Sequence, residues 1–181
     1  EKDWTNINQT DENGVSGLIQ NYRLVNDLNF ADSEYSPYIT GTFTGYLDGE
    51  YEGKVHTINN ISGTESLFAG FAEGEIKNLN INNFTINTNS QYAGMIARAD
   101  MTDNILIDNV SISNMEMNVS YNKDNGKYGG IAGSISSGSS NPADSIKVQN
   151  CSVQGFDLTF NSPNSLDIDE GGIVGNLYAF G

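Results

Sequence analysis

The side chains of this sequence that could do acid–base or metal chemistry are mainly carboxylates. Examples of closely spaced carboxylates are Asp100 with Asp103, and Asp167 with Asp169 and Glu170. Clustered carboxylates could bind Ca²⁺ or act as an acid and a base on a sugar. The acids do not recur at matching places along the chain, and no basic cluster accompanies them to neutralise a sugar acid. Solvated loop charge is therefore the favoured interpretation.

The other reactive side chains are too few to build a common catalytic or metal site. His56 is the only histidine, which excludes a site with several His ligands, and we predict a structural role for it. Cys151 is the only cysteine and is predicted to pack as a small apolar residue. The chain contains no His-Glu-x-x-His, Walker, dinucleotide or EF-hand motif. We therefore predict no enzymatic activity, no metal and no cofactor.

Tyrosines offer the remaining chemistry, because their rings can stack on sugars or anchor a protein partner. The expected partner is a host protein or a glycan, although packing of strand edges would also explain these residues. The candidate ligand contacts are Tyr35, Tyr38, Tyr46, Tyr51 and Tyr121.

Charge and hydropathy narrow the partners further. The 181 residues include 23 acidic and 8 basic side chains, for a net charge of −15. Such a surface repels nucleic-acid phosphates and anionic lipid. No stretch approaches the roughly 20 apolar residues that a membrane helix needs. We therefore expect no nucleic-acid partner and no membrane insertion.

An internal repeat organises the chain. Three alternating apolar segments align with one another: Ile76, Leu79, Ile81, Phe84 and Ile86; Ile107, Val110, Ile112, Met115 and Met117; and Val148, Cys151, Val153, Phe156 and Leu158. Steps of two residues indicate strands, and the slip at Asn82-Asn83 indicates a corner or a bulge. A second element, with Gly or another small residue around two apolar ones, begins at residues 66, 94, 130 and 172.

These repeats predict an all-β fold, a short right-handed parallel β-helix with an N-terminal cap. The spacers between repeats lengthen along the chain, as a stack of strands permits. The pattern apolar-x-Asn-apolar predicts a ladder of stacked amides in one column, in preference to ligand contacts or glycan attachment. Its members are Asn60, Asn78, Asn109 and Asn150.

Two regions follow from this organisation. Residues 1–57 form the cap and first coil, in which Tyr22 to Phe30 supplies one or two short strands and Ile39 to Gly49 a β-hairpin or a bend. Trp4 and Ile7 are expected to belong to the cap. Residues 58–181 hold the repeats and end inside one of them. We expect either further repeats or domains of the same polypeptide beyond Gly181, or another chain that covers this edge.

Four motifs carry a resemblance to a known family. They are Tyr-x-Leu-x-Asn-Asp-Leu-Asn-Phe at 22–30, Gly-Thr-Phe-Thr-Gly-Tyr-Leu-Asp-Gly at 41–49, His-Thr-Ile-Asn-Asn-Ile at 56–61 and Leu-Phe-Ala-Gly-Phe at 67–71. With them the chain resembles bacterial surface proteins with GLUG-motif repeats, and through these the repeat region of zinc-dependent immunoglobulin A proteases. The segment from Leu47 to His56 is longer than is usual there, and Ala97 replaces the expected closing Gly.

The resemblance implies a protein that is secreted or attached to the cell surface. It favours a non-catalytic β-helix module with a role in adhesion or as a spacer that presents other domains. The alternative is an accessory segment of a large extracellular hydrolase, either an immunoglobulin protease or a polysaccharide-degrading enzyme.

Overall fold

The fold is all-β in this computed structural model, which describes residues 3–101, 104–137, 145–161 and 166–178. Two short 3₁₀ helices, Asp3–Asn8 and Gly17–Ile19, lie near the start of the chain. Among the described residues, no helix has the length and apolarity needed to cross a membrane. The strands are β1 (Asn21–Arg23), β2 (Leu28–Asn29), β3 (Ile39–Phe43), β4 (Tyr46–Asp48), β5 (Glu50–Tyr51), β6 (Lys54–Val55), β7 (Thr57–Gly63), β8 (Phe68–Phe71), β9 (Gly74–Thr88), β10 (Tyr92–Ala93), β11 (Ile96–Met101), β12 (Ile105–Val119), β13 (Gly126–Gly129), β14 (Ala132–Ser137), β15 (Ile146–Gln149), β16 (Ser152–Phe160), β17 (Ile168–Gly171) and β18 (Val174–Tyr178).

Three sheets hold most of these strands. The largest contains β1, β2, β4, β7, β9, β12, β15 and β16. A second has the order β10–β13–β17, and a third has the order β18–β14–β11–β8–β3. Neighbouring strands within these three sheets run parallel, whereas β5 and β6 form an antiparallel pair. Each sheet therefore joins strands from successive repeats.

The repeat alignment predicted for the three apolar segments is confirmed by the strand register. On β9 and β12, Ile76 pairs with Ile107 and Phe84 with Met115, and β12 continues the column to Phe156 on β16. The second repeated element is confirmed as well, because Phe68, Ile96, Ala132 and Val174 pair in order across β8, β11, β14 and β18.

Asparagines with a left-handed backbone conformation explain how strand β9 keeps its apolar side chains on the inside. Along β9 the fully buried residues are Ile76, Leu79, Ile81, Phe84 and Ile86. Steps of two put alternate side chains on one face, and a step of three occurs across Asn78 and again across Asn83. These two residues have φ of 52° and 57°, a conformation that Asn tolerates better than most residues. Each one bends the strand and restores the inward direction of the next apolar residue.

The predicted place of Asn60 in the asparagine column is corrected by the register. The repeat pattern aligns Asn60 with Asn78. In the structure, β7 pairs with β9 so that Ile58 is opposite Ile81 and Ile61 is opposite Phe84. This register puts Asn60 beside Asn83. The reason is an insertion. The β5–β6 hairpin occupies residues 50–55 and displaces the rest of the repeat along the sequence.

The structure also decides between the alternatives for the N-terminal region. Ile39 to Gly49 forms a bend and not a hairpin, because β3 and β4 belong to different sheets. The stretch from Tyr22 to Phe30 carries two short strands, β1 and β2. Trp4 and Ile7 are buried in the first 3₁₀ helix, and the Trp4 indole Nε1 donates a hydrogen bond to the Pro37 carbonyl at 2.7 Å.

Candidate functional site

A groove on the outer face of the largest sheet is the most promising binding site among the described residues. Its volume is about 340 Å³. It is lined by Asn21, Tyr22, Arg23, Tyr46, Leu47, Asp48, Glu75 and Lys77. A second groove of about 370 Å³ shares Tyr46 and Glu75 and extends to Asn104 and Leu106. Tyr46 thus stands between two adjoining depressions, with its side chain 53% exposed.

The strand register brings these residues together from three separate stretches of sequence. Tyr46 pairs with Asn21 on one side and with Glu75 on the other. Because alternate residues of a strand point to opposite faces, Tyr46 and Asp48 face outward while Leu47 between them is buried. The outer face of the sheet therefore presents polar side chains from paired positions on neighbouring strands.

Opposite charges alternate beside the Tyr46 ring. Arg23 Nη2 lies 3.7 Å and Lys77 Nζ 3.9 Å from Asp48 Oδ2, and Lys77 Nζ lies 2.9 Å from Glu75 Oε1. The hydrogen bond to Glu75 is the main reason why the pKa of Lys77 is raised. Lys77 therefore stays charged, and the groove offers two cations and two carboxylates together with an exposed aromatic ring.

This arrangement suits recognition of a polar ligand with an apolar face. An exposed aromatic ring stacks on the C–H face of a sugar or on an apolar protein side chain. Carboxylates accept hydrogen bonds from hydroxyl groups, and Arg and Lys donate to carbonyl or carboxylate groups. The lining is therefore chemically suited to a glycan or a glycosylated peptide.

The other predicted tyrosines lie away from the groove lining. Tyr35 and Tyr38 are partly exposed on the segment before β3, and the buried Tyr38 hydroxyl makes no hydrogen bond with the described residues. Tyr51 is 38% exposed on the β5–β6 hairpin, and Tyr121 packs against the core after β12. Tyr46 is thus the predicted contact that lines this groove.

The predicted ladder asparagines occupy two corners of the strands. At the first corner, Asn109 Nδ2 donates to Asn78 Oδ1 at 2.9 Å, and Asn78 Nδ2 donates to Asp48 Oδ1 at 3.0 Å. Asn150 continues this corner but donates to Asp108 Oδ1 at 2.8 Å.

At the second corner, Asn83 Nδ2 donates to Asn60 Oδ1 at 2.9 Å, and Asn60 Nδ2 donates to Asn29 Oδ1 at the same distance. Asn60, Asn78, Asn109 and Asn150 all have left-handed backbones with φ between 52° and 60°. These contacts lie between neighbouring repeats, so we interpret the columns as structural.

His56 belongs to a small polar cluster that fastens the inserted hairpin. Its ring is 6% exposed, and Nδ1 lies 3.0 Å from Asp27 Oδ1. Asp27 also accepts hydrogen bonds from the Thr57 backbone amide at 3.0 Å and from Lys54 Nζ at 3.1 Å. The Thr57 amide contributes most to the low pKa of Asp27, about 2, and the Lys54 and His56 side chains lower it further.

The low pKa of Asp27 predicts a pH-dependent contribution to stability. Its folded-state pKa of about 2 lies below the ordinary 3.8, so the stabilisation is complete above the ordinary value and is lost as pH falls through the folded-state value. We expect Asp27→Asn to lower the urea midpoint near pH 6, and the difference from the wild type to shrink between about pH 4 and pH 2. Asp32→Asn, which removes an exposed carboxylate elsewhere, is the control. A difference that stays constant with pH would contradict this assignment.

The acidic residues Asp100 and Asp169 have different basic partners, Arg98 and Lys127. Asp100 accepts hydrogen bonds from Arg98 Nε at 2.9 Å and from Ser136 Oγ at 2.6 Å. Asp103 lies outside the described residues. Asp169 and Glu170 lie on strand β17 and not in a loop, because they pair with β13. Among the described residues, no three His, Cys, Asp or Glu side chains are grouped to hold a metal ion.

Cys151 is half-buried and packs against the core. Its Sγ donates a weak hydrogen bond to the Gln149 carbonyl at 3.1 Å. Burial is the main cause of its raised pKa, which keeps the thiol protonated.

Sequence reasoning missed the charged residues that line the groove with Tyr46. Arg23, Asp48, Glu75 and Lys77 look like ordinary surface charges in the sequence. The signal that could have found them is their position in the repeat. Asp48 follows Leu47, Lys77 follows Ile76, and these two core residues pair with each other in the register.

One family matches the chain. Residues 15–114 match the family described as the N-terminal region of the M26 IgA1-specific metallo-endopeptidases. No curated protein and no solved structure matches the chain.

Proposed function

The chain belongs to the M26 IgA1-specific metallo-endopeptidase N-terminal region family, and we propose that it is a non-catalytic accessory module of a secreted or surface-attached protein of that kind. The observation that carries the proposal is the family match, which covers the repeats that build the groove at Tyr46. A His-Glu-x-x-His zinc site needs two histidines, and this chain has one. The proposed role is therefore binding and positioning, with no part in the hydrolysis.

The proposed architecture behind this role is a right-handed parallel β-helix with GLUG-type repeats. Parallel strands of successive repeats pair in register in all three large sheets. Crossovers between parallel strands are right-handed in nearly all proteins. Such a stack is stiff and holds a binding groove at a fixed distance from neighbouring domains. An experimental structure with the three sheets as separate flat layers would contradict this architecture.

The partner that the family description suggests is IgA1, and the groove at Tyr46 is the proposed contact. We expect the 181-residue chain to bind immobilised IgA1 saturably and to leave it uncleaved on a gel. Tyr46→Ala should weaken binding about tenfold or more, as expected for an exposed aromatic anchor.

Tyr51→Ala is the matched control, because it removes another exposed tyrosine from outside the groove lining. It should bind IgA1 like the wild type. Cleavage of IgA1 by the chain would contradict the non-catalytic role, and equal binding by the Tyr46→Ala variant would exclude the groove as the contact.

Adhesion to a host glycan is a second candidate function. The observation that favours it is the exposed Tyr46 ring beside Asp48, Glu75 and Lys77, a combination that can stack on a sugar and bind its hydroxyls. A glycan array with the wild type and Tyr46→Ala tests it. Binding that is lost in the variant and is independent of IgA1 would favour adhesion, whereas binding only to IgA1 would favour the accessory role.

A further inference from the structure

Lys127, Asp169 and Asn176 form a triad on the outside of the last repeats, away from the groove. Lys127 Nζ and Asn176 Nδ2 both donate hydrogen bonds to the same oxygen, Asp169 Oδ2, at 2.5 Å and 2.8 Å. The amine and the amide are therefore held next to each other across a single carboxylate oxygen.

Three strands fix this geometry. Lys127 on β13 pairs directly with Asp169 on β17, so their outward side chains are neighbours on one sheet. Asn176 lies on β18 in the adjoining sheet, seven residues after Asp169, and its side chain reaches back to it. The backbone of Lys127 is also held, because its amide donates to the Gln91 carbonyl at 2.7 Å.

The triad is shielded from water on the side of the amine. The Lys127 side chain is only 19% exposed, although Asp169 is 44% exposed. Tyr92 occupies the position that pairs with Lys127 on β10. The hydrogen bond from Lys127 is the main cause of the lowered pKa of Asp169, so the carboxylate is ionised in the resting triad.

We propose that Lys127 and Asn176 join in an intramolecular isopeptide bond, with Asp169 as the proton carrier. Asp169 takes a proton from the Lys127 ammonium, and the free Nζ attacks Cγ of Asn176. The new bond is Nζ–Cγ, and the bond that breaks is Cγ–Nδ2. Asp169 returns its proton to the departing nitrogen, to which it is already hydrogen-bonded. The lysine ammonium and the asparagine amide become a secondary amide and an ammonium ion, with no oxidant or reductant.

The bond links β13 to β18 covalently. It closes a loop of the chain from 127 to 176, which restricts the unfolded ensemble as any cross-link does. The side chains of the last repeat, among them Val148, Phe156 and Leu158, are only partly buried. The cross-link therefore reinforces the part of the stack that has the least core.

Intact mass spectrometry of the folded chain tests the proposal. The expected result is a mass lower than that of the sequence by one ammonia, and a branched tryptic peptide that joins the sequence around Lys127 to that around Asn176. Lys127→Arg keeps the positive charge but cannot attack, and Asp169→Asn removes the proton carrier. Both should show the full mass and no branched peptide. Lys147→Arg, an exposed lysine on β15, is the matched control and should keep the linkage.

Circular dichroism and thermal melting establish that each variant is folded, and the wild type should melt at a higher temperature than Lys127→Arg. A full mass for the folded wild type after prolonged incubation would overturn the proposal. Loss of ammonia without the branched peptide would also overturn it, because it would indicate a cyclic imide at Asn13-Gly14 or Asn125-Gly126. An unchanged yield of the linkage in Asp169→Asn would overturn the role of Asp169.

Discussion

Phe84→Ala should destabilise the protein by about 3–5 kcal/mol, the range for removing a buried aromatic ring from a core. The ring is fully buried on β9, and its neighbours in the register are Ile61 on β7 and Met115 on β12. Repeats on both sides hold the backbone in place, so the space left by the ring cannot close. Urea unfolding followed by circular dichroism measures the loss, and the melting temperature should fall by about 2–4 °C per kcal/mol.

Phe156→Ala is the matched control for this prediction. Phe156 occupies the same column two repeats later, because Met115 pairs with both residues, but it is only partly buried. The same chemical change should therefore cost clearly less there, since the cost depends on burial and on how far the site can relax. Equal losses at the two positions would contradict the conclusion that the last repeat encloses its apolar residues less completely.

Much of this stacking could be predicted from the sequence, because each strand repeats its own apolar spacing. The column from Phe84 through Met115 to Phe156 follows from counting steps of two and three between apolar residues. The same counting placed Asn60 beside Asn78, which is wrong. The pattern apolar-x-Asn-apolar fits both corners of a repeat equally well, and the inserted β5–β6 hairpin hides the register between residues 49 and 56.

The candidate site could be predicted only in part. The sequence indicates Tyr46 as a candidate because the residue type alone shows that its ring can stack on a sugar or anchor a partner. The groove residues Arg23 and Lys77 are 23 and 31 positions away along the chain, and only the pairing of β1, β4 and β9 brings them to Asp48, two residues after Tyr46. The contact of Lys127 with Asp169 depends in the same way on the register of β13 with β17.

Asn78→Ala should destabilise the protein by about 2 kcal/mol, for two separable reasons. The left-handed backbone at φ 52° costs an alanine about 1–2 kcal/mol that an asparagine partly avoids. The side chain also donates to Asp48 and accepts from Asn109, so its removal breaks two contacts between repeats, each worth about 0.5–1.5 kcal/mol or less where water can replace it. Urea unfolding at neutral pH measures the total.

Two further variants separate the backbone contribution from the amide contribution. Asn78→Gly allows the left-handed conformation without strain and lacks the amide, so it should recover the backbone part of the loss but not the hydrogen bonds. Asn118→Ala also removes two contacts, from Nδ2 to Asn87 Oδ1 at 3.0 Å and to Glu116 Oε1 at 2.7 Å, but its φ is not positive. Because both contacts are exposed to water, this change should cost about 0.5 kcal/mol. If Asn78→Gly were as unstable as Asn78→Ala, the amide contacts would dominate, and asparagine would be required at these corners for its hydrogen bonds. If Asn78→Gly matched the wild type, the backbone would dominate, and the amide columns would be a consequence of the strand corners instead of their cause.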